Sequence, residues 1–282
     1  MHSSAVSHTI SLLLLVQSYV ADASAWGYGD KDGPQTWEGD CQTGIRQSPI
    51  DIHSMDTDYS LMDRVNFMGY DQVGEVALTN NGHTISTSGF TDWKHTPYIT
   101  GGALEGKYFL QQFHLHWGQK DHEGSEHKIG GISYPAELHL VHLKERLTMT
   151  EANNQSDGLA VVGVFVNIGM SEEPLEAVAE KLDEAIYSGN ETDMERFRPR
   201  SLLPSFPDAF YRYEGSLTTP GCNEAVQWIV LAEPITITRE QLEQLRKIRN
   251  AEGEELANFR PTQPLNGRRI RFRPAQYDRS RF

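Results

Sequence analysis

The sequence predicts a mainly β (α+β) fold, a large sheet carrying a few short helices. Three observations lead there: many short runs that alternate or are rich in Val, turn signals between them, and only two segments with helix punctuation. With 282 residues, 38% apolar and 23% charged, the chain has an ordinary globular composition and length enough for one sizeable core. The strand candidates, in order, are Glu75–Thr79, Tyr108–His116, Ala136–His142, Leu159–Ile168 and Ala225–Leu231. Asn80-Asn81-Gly82 and Gly130-Gly131 supply turns between them. Leu159–Ile168 is so uniformly apolar that it reads as a strand buried on both faces. The helix candidates are Glu173–Ser188, with Ser171 as cap, Pro174 in the first turn and Gly189 past the end, and Gln241–Asn250, with Thr238 and Gln241 in capping-box spacing. No repeat or low-complexity linker interrupts the chain, so one domain is expected over residues 26–273.

Residues 1–25 are expected to be a cleaved signal peptide. The run Ile10–Val16 is apolar but too short to span a bilayer, and the small-residue patterns Ala21-Asp22-Ala23 and Ala23-Ser24-Ala25 follow it. Neither a second long apolar stretch nor an apolar C-terminal tail is present, so the mature chain is expected to be secreted, with no transmembrane segment or lipid anchor. In an oxidising compartment the only two cysteines, Cys41 and Cys222, are expected to pair. The sequons at Asn154 and Asn190 fit an exported glycoprotein. A net charge of -14 argues against nucleic acid as a partner, since phosphate-backbone affinity rests on clustered Lys and Arg. Residues 274–282 form a tail that ends a basic stretch, in which residues 267–282 carry six Arg and one Asp.

Eight of the eleven histidines lie between His83 and His142. In a strand, His114 and His116 point to one face with Cα atoms roughly 6.7 Å apart, which lets two imidazoles converge on one ion. His139, on the next strand candidate, completes a set of three if the strands are neighbours. Three neutral imidazoles suit Zn²⁺ and leave a fourth tetrahedral position open, as a catalytic site needs. Gln112 shares the face of the first pair and Glu137 that of His139, so each could fix a ring tautomer from behind. By contrast, His122-Glu123 and His127 are no metalloprotease helix, because the second histidine falls about 100° out of place.

The motifs Gln112–Gly118 (QFHLHWG), Gly124–His127 (GSEH), Glu137–His142 (ELHLVH) and Ser216–Pro220 (SLTTP) resemble the signatures of the α-class carbonic anhydrases. Trp26–Gly29, Gln47–Ile50, Asn80–His83, Gly158–Val161 and Asn258–Pro261 match in the family's order, so the likeness runs from about Trp26 to Phe272. It implies a large twisted, mostly antiparallel central sheet with short peripheral helices. It also implies a zinc enzyme that interconverts CO₂ and bicarbonate. By similarity His114, His116 and His139 are the zinc ligands, oriented by Gln112, Glu137 and Asn258. Thr218 matches the gatekeeper that donates to Glu126 and orients the nucleophile, and Thr219 would contact bicarbonate. Val141, Val161, Leu217, Val226 and Trp228 match the apolar CO₂ pocket. His83 matches the proton shuttle, with Tyr28 and Asn81 ordering water beside it. The pairing of Cys41 with Cys222 resembles the disulfide of secreted members. Ser86 departs from the Asn of a familiar cytosolic member, and the likeness is loose between Lys144 and Asp157. The alternative from another class is a catalytically silent relative serving as an extracellular binding or matrix module, which typically lacks one or more of the three histidines.

Overall fold

The computed structural model describes residues 26–171 and 173–275; the leader expected over 1–25 and the tail from 276 onward lie outside them. Among the described residues, thirteen of the fifteen strands join in one sheet. Its long path uses β1 (Thr57–Tyr59), β2 (Gly74–Asn80), β3 (Ile85–Ser88), β4 (Tyr108–Trp117), β5 (Ala136–Lys144), β6 (Leu159–Ile168), β7 (Glu191–Phe197), β8 (Phe210–Gly215), β9 (Val226–Leu231) and β10 (Ile270–Arg273). Across the sheet they run β7-β2-β3-β4-β5-β6-β9-β8-β10-β1. Most neighbours are antiparallel; β6–β9 and β10–β1 are parallel, as is the short strand Ile235–Ile237 beside β6. The five expected strands are all present, with ends within two residues of those read from the sequence. β6 is buried from Leu159 to Val166, as its unbroken apolar run requires.

Alternation sorts the side chains of the central strands between two faces. Leu138 and Leu140 of β5 and Leu115 and Phe113 of β4 face the larger apolar core, with Val162 and Val164 of β6. The other face carries a smaller cluster that includes Val141, Val161, Phe165, Val226 and Trp228. Gly163 sits within this second face, opposite His139.

The helices depart from expectation in their limits. Glu173–Leu175 is a 3₁₀ turn, and the α-helix α1 covers only Glu176–Leu182; Leu175 occupies the cap position without a side-chain bond. The expected continuation to Ser188 does not form, and the Ile186 carbonyl accepts from Arg249 N (2.8 Å) and Asn80 Nδ2 (2.9 Å) instead of lying in a last helical turn. Beyond Leu182 the backbone bonds tighten to three-residue spacing, Glu184 N to the Lys181 carbonyl and Ala185 N to the Leu182 carbonyl (3.0 Å each), and the chain then turns toward β7. The second helix, α2, covers Arg239–Arg246 and begins earlier than expected. Its capping box is realised: Gln241 N donates to Thr238 Oγ1 (3.2 Å) and Thr238 N to Gln241 Oε1 (3.0 Å).

Candidate metal centre

Register brings the three histidines together. His114 on β4 stands directly opposite His139 on β5, while His116 stands opposite Glu137. The ligand nitrogens of His114, His116 and His139 lie within 4.8 Å of one another. Each ring is held from behind. His114 Nδ1 pairs with Gln112 Oε1 (3.0 Å), His116 Nδ1 with the backbone carbonyl of Asn258 (2.7 Å) and His139 Nε2 with Glu137 Oε1 (2.8 Å). This leaves Nε2 of the first two rings and Nδ1 of the third free of those bonds. His116 Nε2 is buried and has no hydrogen-bond partner among the described residues. A neutral imidazole nitrogen with a lone pair, desolvated and unpaired, costs free energy unless something binds it. The donor set, all neutral nitrogen with acceptors behind, fits Zn²⁺. Burial, followed by the neighbouring His139, pushes the His116 pKa down to about 3 and so keeps this ring in the state a metal requires. His114 and His139 are pushed down as well, again first by burial.

Two buried carboxylates stand beside these histidines. Burial would raise Glu137, but His127 and His139 outweigh it and hold the acid well below its ordinary range. Its oxygens accept from His127 N (2.8 Å) and pair with His127 Nδ1 (2.7 Å), and the far nitrogen of His127 reaches the Tyr213 hydroxyl (2.7 Å). Glu126 Oε1 accepts from Arg260 N (2.8 Å), and burial raises the acid well above its ordinary range. Thr218 approaches this carboxylate and favours its charged form. The contact falls short of a well-formed hydrogen bond, and Oε2 keeps an open acceptor site. Gly124 makes the loop to Glu126 feasible: its φ is +133°, and a Cβ there would lie 2.0 Å from the Pro135 carbonyl.

The remaining candidates divide into two groups around the histidines. A cleft of about 190 Å³ is lined by His114, His116, Thr219, Tyr28, Asn81 and His83, among others. Ser86, opposite His114 in register, lines it too. The Asn81 side chain builds the turn there, its Oδ1 accepting from His83 N and Thr84 N (2.9 Å each). His83 is half-buried and stacks on Trp26, ring centroids 3.7 Å apart and planes 10° from parallel; burial lowers its pKa against the pull of Glu252 and Asp32. Val141, Val161, Val226 and Trp228 instead form a buried apolar group with Leu217 packed against it. That group meets the three-histidine set at His139, whose ring lies 4.8 Å from Trp228.

The disulfide Cys41–Cys222 is formed. It sits beyond the Thr218 loop, where Cys222 N donates to the Thr219 carbonyl (2.9 Å). Buried Arg260 ties the same region together through Gln47 Oε1 (2.9 Å), the Ser48 carbonyl (2.7 Å) and the Cys41 carbonyl (3.2 Å). Sequence reasoning assigned no role to His127, Arg260 or Tyr213. The first two stand inside the quoted motifs GSEH and NFRP, which was the available signal. Asn258 was foreseen as an orienting residue, and the bond to His116 comes from its backbone oxygen while its side chain caps Trp117 N (2.8 Å).

A family model described as eukaryotic-type carbonic anhydrase matches residues 32–274. The chain is 48% identical to a putative carbonic anhydrase 5 of Caenorhabditis elegans, covering 99% of this chain and 91% of that relative. It is 41% identical to carbonic anhydrase 7 of Homo sapiens over 87% of this chain and 96% of the relative. Carbonic anhydrase 3 of Rattus norvegicus is 38% identical over 88% and 98%.

Proposed function

The chain belongs to the eukaryotic-type carbonic anhydrase family, and from that premise we propose that it is a secreted zinc enzyme hydrating CO₂ reversibly to bicarbonate and a proton. The observation that carries this reading is the unpaired, buried His116 nitrogen within a set of three converging neutral imidazoles. His114, His116 and His139 would hold Zn²⁺, which supplies the Lewis acidity that makes water a nucleophile near neutral pH. The protein's own groups do the rest. Glu126, fixed by Arg260 N and approached by Thr218, would accept the Thr218 hydroxyl proton in a hydrogen bond, so that the Thr218 oxygen accepts from the reacting water and aims it. Val141, Val161, Leu217, Val226 and Trp228 offer an apolar wall suited to a substrate without a dipole, and Thr219 lies in the cleft where bicarbonate would leave. His83, with Tyr28 and Asn81 beside it, receives the proton at the cleft's outer end.

Secretion is supported by the Ala23-Ser24-Ala25 pattern, by the disulfide and by the exposure of both Asn154 and Asn190. No helix among the described residues is long and apolar enough to cross a membrane.

The test is metal analysis of the purified protein with stopped-flow CO₂ hydration before and after a chelator. A full equivalent of zinc and chelator-sensitive hydration is the expected result. Zinc binding without turnover would favour the silent binding module, and absence of both would refute the proposal. Export is tested separately, by secretion from a eukaryotic host and a mass shift on glycosidase treatment; retention inside the cell would refute it.

A further inference from the structure

We propose that the α-amino group of Trp26, set free when the leader is cut after Ala25, is a second proton carrier that relays protons from His83 to buffer. The inference rests on the hydration reading above, in which each turnover must deliver a proton to solution.

Position is the first argument. The Trp26 indole lies flat on the His83 imidazole, centroids 3.7 Å apart, and both rings line the cleft that reaches His114 and His116. The indole is itself held edge-on by Tyr28 (5.7 Å) and Trp37 (5.6 Å). The backbone next to it is pinned by Gly27 N to the Asp32 carbonyl and Gly29 N to Asp32 Oδ1, both 3.0 Å. Only Cα and Cβ separate the Trp26 nitrogen from a ring fixed in this way. Cleavage at the Ala23-Ser24-Ala25 pattern would therefore free an amine two carbons from an indole that lines the cleft.

Chemistry is the second. An α-amine has an ordinary pKa of about 7.7–8.0, against about 10.4 for lysine, so it both takes and gives protons near neutral pH. Tyr28, beside it, is held protonated by burial, by Glu126 and against Arg260, and cannot carry the charge. Asp32 and Glu252 are the acids acting at His83, and both favour a cation arriving at this rim. In the step itself an N–H bond of the His83 imidazolium breaks and one forms on the neutral amine. The ammonium then loses that proton to a buffer base and returns to its starting state.

The experiment compares zinc-loaded secreted protein with two otherwise identical chains, one acetylated at Trp26 and one with a short Gly/Ser extension before it. N-terminal sequencing of the secreted form should read Trp26; any other terminus overturns the proposal. In weak buffer near pH 8 both modified forms should show kcat lowered about twofold to threefold, an order-of-magnitude expectation for one of two parallel acceptors. The gap should close below about pH 7, where the amine is protonated. It should also vanish in concentrated imidazole-type buffer, with kcat/KM equal throughout. A merely structural role for the terminus would lower rates at every pH and in every buffer, which also overturns the relay. In a His83→Ala background the gap should disappear; its persistence would overturn the route through His83. Equal rates of all three forms in weak buffer overturn the relay alone, whereas no hydration in any buffer overturns the hydration reading and the relay with it.

Discussion

β5 carries a buried histidine on each face, and the two have opposite fates. His142 points into the larger core with both nitrogens engaged, Nδ1 donating to the Ala160 carbonyl (3.1 Å) and Nε2 accepting from the Tyr70 hydroxyl (2.5 Å). On the other face, His139 joins His114 and His116, and the His116 Nε2 is left without a partner. Burial lowers the pKa on both sides, to about 4 at His142 and about 3 at His116. Low dielectric and a depressed pKa therefore do not distinguish a site from a core. What distinguishes them is whether the lone pair is already spent.

The comparison can be broken most directly at His116. His116→Ala should abolish stoichiometric zinc and lower hydration by at least about a thousandfold, read by metal analysis and stopped-flow kinetics. Full zinc occupancy in that variant would place the metal elsewhere. Next in size is Thr218→Ala, which should retain zinc but lose about a hundredfold in kcat/KM, because a contact that orients the reacting water is removed. Gln112→Ala sharpens the contrast from behind the metal: zinc affinity should fall by about 10-fold or more, measured by chelator competition. The smallest expected change in function comes from His142→Phe. It should keep zinc and hydration unchanged while costing about 1–3 kcal/mol of stability, because the buried Tyr70 hydroxyl loses its acceptor. Loss of zinc there would erase the distinction between the two faces.

The same variant carries a pH signature. The His142 pKa falls from 6.5 to about 4 on folding, so the unfolded chain binds the proton more readily. Stability attached to the neutral ring is complete above 6.5 and is lost progressively as pH falls toward about 4. Denaturant titrations across that window should show the loss in the parent chain, with a smaller slope for His142→Phe.

Local pattern made much of this legible. The alternation of Gln112, His114 and His116 placed three side chains on one face without any knowledge of the partner strand, and the Thr238–Gln241 box marked a helix start. An equally good box, Thr148 with Glu151, caps the short helix Met149–Ala152 and went unread in the segment where the family likeness is loose. What sequence could not show depends on partners far along the chain. Tyr213 meets His127 across 86 residues and Arg260 meets Glu126 across 134. The segment read as the end of the helix after Glu173 has the same origin, since Ile186 is held by Arg249 and Asn80, both remote from it in sequence.

Gly163 lies in the middle of the most apolar strand of the sheet, where a bare backbone packs poorly. A methyl group built there would come 3.1 Å from Glu137 Oε1, tighter than carbon and oxygen ordinarily tolerate, and 3.6 Å from Trp228. That oxygen holds both His127 and His139. The missing side chain is thus a reserved hollow: one added carbon would press on the carboxylate and through it on the His139 imidazole, so that the posture of the proposed zinc ligand is set from a neighbouring strand.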